Sequence, residues 1–284
     1  MPVMQLDDGR LSWSYLTLKG GKGFISVSAD VRLQRVTGAS LESELLQPNG
    51  EGVPVSANGA ALLIDFHSSS MGKDLRTRLW FRPGDAAALQ RGRIELTPEN
   101  ERYKLYRYTK KGLFIVRRKP EAGEERKAPD SWSGVKRSFE AYPEAVPDGV
   151  VLSDPAVLLY LVSVMDFRQP GDEVRLLAYA DEKLLVVTVR YEGEEEVIAD
   201  FKVKGPGATR HVKGARPALR LGLTSRPLQG GGDNSGLKIA GLGGKLKILV
   251  DRELRIPLEL RGKVRIAGNV ALRAGEVRLA GRGD

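Results

Sequence analysis

Residues 236–280 read GLKIAGLGGKLKILVDRELRIPLELRGKVRIAGNVALRAGEVRLA, and this stretch decides the fold. Leu258, Leu260, Val264 and Ile266 fall on one parity, and Glu259, Arg261, Lys263 and Arg265 on the other. Side chains alternate faces along a strand, so the pattern describes a ribbon with one apolar and one charged face. Leu246, Ile248 and Val250 repeat it upstream against Lys245 and Lys247, and Val277 and Leu279 repeat it downstream against Glu276 and Arg278. Three or four antiparallel strands sharing one buried face are expected here.

The same alternation extends outward through the chain. Ile25, Val27, Ala29, Val31 and Leu33 alternate with polar residues behind Leu11–Leu18, with Gly20–Gly23 as the intervening turn, which predicts a hairpin. Ala61–Phe66 with Leu75–Phe81, and Tyr103–Tyr108 with Leu113–Arg118, predict two further pairs. Residues 38–60 read as an irregular excursion, Asp85 as the N-cap of a short helix over 86–91, and 119–134 as an exposed loop. Later strands are expected over 135–142, 173–180, 184–191, 195–204 and 208–225, with Leu184–Val189 apolar on both faces and 229–236 a loop. Asp154-Pro155 supplies an N-cap followed by Pro at the first helical position, and 156–165 (AVLLYLVSVM) is apolar nearly all round. The expected fold is mostly β, a large curled antiparallel sheet or half-open β-barrel, with one short buried helix near 154–165. Two regions are expected, 1–134 and 135–284, the first either part of the same sheet or a separate β-domain.

Composition excludes more than it assigns. The 284 residues contain no run of about 18 apolar residues, hence no transmembrane helix, and the first fifteen lack the basic flank and apolar core of a signal peptide. No Cys is present, which excludes disulfide and thiolate chemistry. The net charge of +9 is uneven: residues 201–284 hold about 18 Lys+Arg against about 6 Asp+Glu, so an electrostatic partner is expected to meet that end unless the charges are simply strand residues facing water.

Chemistry-bearing patterns are sparse. His67 and His211 are isolated from each other, and a metal site would need scattered carboxylates, with Asp233-Asn234 too few for calcium. Ser68–Ser70 beside His67 is not a nucleophile elbow, and Glu194–Glu196 reads as a solvated turn. Gly241–Lys245 has the glycines of a phosphate loop but leads into a strand rather than a helix. Tyr103–Tyr108 interleaves aromatic and basic residues, yet cross-strand pairing accounts for it better than base stacking, so nucleic acid is not an expected partner. The terminal Arg282-Gly283-Asp284 is a chance adhesion tripeptide. No catalytic, metal or cofactor-binding residue is nominated.

Asp154-Pro155 with Tyr160-Leu161, Gly171-Asp172 opening a strand, and Asp251 with Arg255 and Pro257 resemble the DUF3108 family of exported bacterial proteins of unknown function. The resemblance spans residues 135–280. Val157, Ile248 and Arg252 depart from that family's usual Ser, Trp and second Asp. It implies a periplasmic, β-rich fold with an already removed signal peptide, a cytoplasmic location being the alternative. It implies no catalytic residues. The expected function is non-catalytic binding of a hydrophobic or amphipathic anionic ligand in the concavity of the sheet, with Lys245, Lys247, Arg261, Lys263 and Arg265 as the rim that meets the anionic group. The alternatives are a structural or assembly protein pairing with an envelope protein through a sheet edge, and a cofactor-free enzyme.

Overall fold

The structure is a computed structural model that describes residues 4–281 apart from 24, 49–51, 71–72, 98–99, 206, 230–235 and 265–266. Strand accounts for 62% of residues and helix for 9%, and all fifteen strands belong to one sheet. Strands β1 (Trp13–Lys22), β2 (Ile25–Thr37), β3 (Ala60–Ser70), β4 (Lys73–Phe81), β5 (Ala88–Thr97), β6 (Asn100–Tyr108), β7 (Gly112–Lys119) and β8 (Gly134–Ala141) form an antiparallel meander. The second half contributes β9 (Leu152–Ser153), β10 (Glu173–Ala180), β11 (Lys183–Gly205), β12 (Ala208–Pro227), β13 (Gly243–Asp251), β14 (Pro257–Val264) and β15 (Gly268–Leu279). The meander is joined to this half by β1, which pairs with β15. The sheet therefore runs unbroken from β8 at one edge to β9 at the other.

The length of β11 closes a ring. Its first half pairs with β10, while Lys202–Lys204 lie parallel to Glu276–Arg278 of β15, so β11–β15 form a five-stranded ring. Two strands were expected over 184–204. One strand of 23 residues forms because the break at Glu192-Gly193 is a bulge that bends the strand without ending it. Glu194–Glu196 is accordingly strand rather than solvated turn, with Glu194 paired to Arg252 and Glu195 to Arg261 and Arg220.

The interior is filled by the predicted parity. Leu246, Ile248, Val250, Leu258 and Leu260 are all buried, and Val264 is half-buried, whereas Ile266 lies outside the described residues. Leu184–Val187 are buried on both faces, as expected of a strand covered twice, and Leu228, Leu237 and Ile239 pack in the same core, while 230–235 of the expected 229–236 loop lie outside the described residues. Helix α2 (Leu158–Val164) is buried along its whole length, following one 3-10 turn at Pro155–Val157. Trp13 Nε1 donates to Ser163 Oγ at 2.9 Å, Tyr160 Oη donates to the Pro83 carbonyl at 2.8 Å, and the Phe81 and Tyr160 rings meet edge-on at 4.9 Å. The helix is thus a plug held by both halves.

Three local expectations are corrected. The segment after Asp85 is β5, not a helix: Asp85 does accept from the Ala87 amide, but Ala86 has φ 59°, and the ladders to β4 and β6 outweigh one marginal helical turn. The excursion after β2 contains helix α1 (Gly38–Glu44), which seats Leu41 in a small second core with Val36, Leu63, Trp80 and Leu89 on the other face of the sheet. The 119–134 loop is partly anchored, since Trp132 is buried and its indole donates to the Glu124 carbonyl at 2.9 Å.

Candidate functional site

Cross-strand register assembles the site. On the face of the meander turned toward α2, Phe66, Thr77, Arg93, Lys104, Arg117 and Lys136 lie directly opposite one another, each the partner of the next across β3–β8. The adjacent row is Ile64, Leu79, Arg91, Tyr106, Ile115 and Ser138. One row is apolar with a single cation, and the other carries four consecutive cations.

A cleft of about 330 Å³ opens over these rows. Its floor includes Phe66, Leu75, Arg91, Arg93, Lys104 and Tyr106, and Arg117 and Glu140 stand at one side. The opposite wall is Asp154–Ala156 at the start of the plug, with Tyr179–Glu182 at the β10–β11 turn and Lys238–Gly241 at the mouth. The volume is at the lower end of the usual range for small-ligand sites.

The electrostatics divide this lining into satisfied and unsatisfied groups. Asp154 is 2% exposed and serves three donors: Oδ1 accepts from the Ala156 amide at 2.9 Å, while Oδ2 accepts from Arg91 Nη1 and Tyr108 Oη, each at 2.8 Å. Burial opposes the Arg91 charge, but Asp154 with the Tyr108 and Tyr106 phenols outweighs it, and the Arg91 pKa is raised. Burial, then the neighbouring Asp154, pushes the Tyr108 phenol well above its ordinary value, so it stays a donor. The Arg91 guanidinium also stacks 4.5 Å from the centre of the Tyr106 ring. Arg117 is held by Ser138 Oγ at 2.8 Å and Glu140 at 2.5 Å. Burial, then Glu140, raises the Tyr179 phenol to about 12.

Other donors lack partners. Nε of Arg91 and Nε of Arg93 are buried and find no acceptor among the described residues. Arg93 reaches Glu95 only at 3.5 Å, and Glu95 is held more closely by Arg102 at 2.5 Å. Lys104 makes no ion pair with a described residue. The four carboxylates of the cleft are Asp154 and Glu140, both bound to arginines, and Asp181 and Glu182 at the mouth.

The expected rim lies elsewhere. Lys245, Lys247, Arg261 and Lys263 are on the ring strands β13 and β14, on the face opposite the buried Leu246 and Leu260, and none of them lines the cleft. Lys247 is bound to Glu192 at 2.8 Å, and Arg261 to Glu195 at 2.7 Å and to Glu259. Lys245 and Lys263 are exposed, and Arg265 lies outside the described residues. Much of the basic surplus of the last third is likewise answered by acids of β11 and β15. Glu259, on the charged parity, is not open to solvent: it is 3% exposed, beneath Arg261 and Arg273, whose Nε donates to it at 3.0 Å.

Among the described residues, no group of three or more His, Asp or Glu could hold a metal ion. His67 meets Asp74 at 2.7 Å and His211 meets Asp200 at 2.6 Å, each in a half-exposed cross-strand pair. Asp233-Asn234 and Arg282–Asp284 lie outside the described residues. No helix of the described residues is long and apolar enough to cross a membrane.

The row of cations was missed because Arg93, Lys104, Arg117 and Lys136 are far apart in sequence and belong to unremarkable alternating segments. Only the register makes them neighbours. Comparison with known proteins adds nothing to this geometry: no family model, curated protein or solved structure matches the chain.

Proposed function

We propose that the protein is a non-catalytic binding protein for an amphipathic anionic ligand, held in the concavity of its sheet. The observation that carries this reading is the mixed lining of the 330 Å³ cleft, in which Phe66, Leu75, Tyr106 and Tyr179 share one space with Arg93 and Lys104. An acyl-type chain removes apolar surface from water, and its anionic end answers the positive charge of Arg93 and Lys104. The anionic group belongs at Arg93 and Lys104 rather than at the ring cations proposed from the sequence. The resemblance to DUF3108 proteins supports a bacterial envelope location, in the periplasm, which fractionation of the native gene product tests.

The binding test is a titration with a fluorescent fatty-acid probe, displaced by decanoate. Saturable binding lost in Ala156→Trp, which fills the cleft wall, supports the reading. Undiminished binding in that variant, or none in the unaltered protein, refutes it.

A second reading, an assembly protein that adds a partner strand to a sheet edge, has its own support. The outer edge of β12 from Ala208 to Pro217 pairs with no further strand among the described residues, and Ile198 on the neighbouring β11 is 69% exposed. A concentration-dependent change in mass abolished by Val212→Pro supports this second role.

A further inference from the structure

Resting on the cleft reading, we infer that the preferred head group is a dianionic phosphomonoester, chosen over a single carboxylate or a monoanionic phosphodiester. The argument is a charge count over the cleft floor. Arg91 is answered by Asp154 and Arg117 by Glu140. Lys104 makes no ion pair with a described residue, and Arg93 shares Glu95, at 3.5 Å, with the closer Arg102, so here one carboxylate stands against three cations. Arg93 and Lys104 are direct cross-strand partners, which puts their Cβ atoms about 5 Å apart and leaves their repulsion only partly compensated by the shared Glu95.

Such a cost in a folded sheet has a use if a ligand removes it. A carboxylate carries one negative charge and two oxygens, so one of the two lysine and arginine charges stays unanswered beside it. A phosphomonoester carries about −1.5 to −2 at neutral pH and three terminal oxygens, enough to bridge both side chains. A phosphodiester has only two terminal oxygens and about half the charge. Lys136, which follows Arg117 in the row and lies on the edge strand β8, extends positive potential to the sheet margin and attracts the anion toward the cleft. Asp181 and Glu182, against the single cation Lys238, line the cleft outside the floor row, so this side favours a ligand that carries its charge at the floor.

The test compares three ligands with one chain: decyl phosphate, decyl methyl phosphate and decanoate, each competing with the fluorescent probe, with inorganic phosphate as a fourth competitor. Decyl phosphate is expected to bind at least tenfold more tightly than the other two alkyl ligands. Lys104→Gln and, separately, Arg93→Gln should each erase that preference, weakening decyl phosphate at least tenfold more than they weaken decanoate. Both substitutions lie on half-exposed side chains, and retained melting temperature verifies folding. Competition by inorganic phosphate at millimolar concentration would show that the oxyanion alone suffices, and the class of head group would stand. Equal affinity for the three alkyl ligands, or a preference that survives both substitutions, overturns the phosphomonoester inference and leaves the cleft reading in place. Failure of every alkyl ligand to displace the probe refutes the cleft reading itself.

Discussion

Replacing Asp154 by Ala tests the joint between the meander and the plug. One carboxylate accepts from the Ala156 amide, from Arg91 and from Tyr108, in a site 2% exposed. Loss of the cap alone costs about 1 kcal/mol. Leaving the Arg91 charge buried without its partner costs about 3–5 kcal/mol, the range found when one member of a buried pair is removed. Both losses come from the same atoms and do not simply add, so about 3–5 kcal/mol is expected in total, or a fall in melting temperature of roughly 6–20 °C for a chain of this size. Urea unfolding followed by tryptophan fluorescence supplies the free energy, and calorimetry the temperature. Asp154→Asn keeps an oxygen for the cap and should lose less. The double replacement Arg91→Met with Asp154→Leu removes both charges and should lie closer to the unaltered protein than Asp154→Ala does. A loss below about 1 kcal/mol in Asp154→Ala, or a double variant no better than the single, refutes the view that this ion pair fastens the plug to the sheet.

Other outcomes follow from the same structure. Leu260→Asp should cost at least about 3 kcal/mol by placing an unpaired charge in the ring interior, while Glu259→Ala should cost about 1–2 kcal/mol by releasing Arg261 and Arg273, both read by denaturant midpoint. Gly20→Ala should destabilise by about 1–3 kcal/mol, because a Cβ there would sit 2.0 Å from the Ala271 carbonyl oxygen across the β1–β15 seam, and thermal melting checks it. Glu124 accepts from the Ser133 and Glu121 amides, the Ser133 hydroxyl and Lys127, which together lower its pKa from 4.5 to about 2. Its folded pKa is depressed, so its anchoring of the 119–134 loop is fully present above about pH 4.5 and is lost as pH falls through about 2. The indole NH resonance of Trp132, recorded by NMR across that window, should move with this titration, and an unchanged signal would contradict the anchoring.

The parity of side chains was legible in the sequence because burial on one face of a strand writes a two-residue period. Val27, Ala29, Val31, Leu246, Ile248, Val250, Leu258 and Leu260 all obey it. The plug was legible because Asp154 and Pro155 mark a start and no polar face follows. What the period cannot encode is which strand lies beside which. Glu192-Gly193 resembles a turn, and only the ladder with β12 turns it into a bulge within one long strand. Glu259 alternates like a surface residue, and two arginines from its own and the next strand cover it. The cleft floor has the same origin: four ordinary strand cations become a site through pairings that the sequence leaves open.

The seam between β1 and β15 has a consequence for how the chain is made. Leu16 faces Val277 and Leu18 faces Ala274, so these ladder bonds form only after more than 250 intervening residues exist. Hairpins β1–β8 can assemble from near neighbours as they are synthesised. The β1 border, with Trp13 and Leu16 fully buried in the finished protein, stays uncovered until the last strand arrives. During that interval the nascent meander exposes an adhesive apolar margin, and it is then that a chaperone, or a mispaired second chain, has its opening.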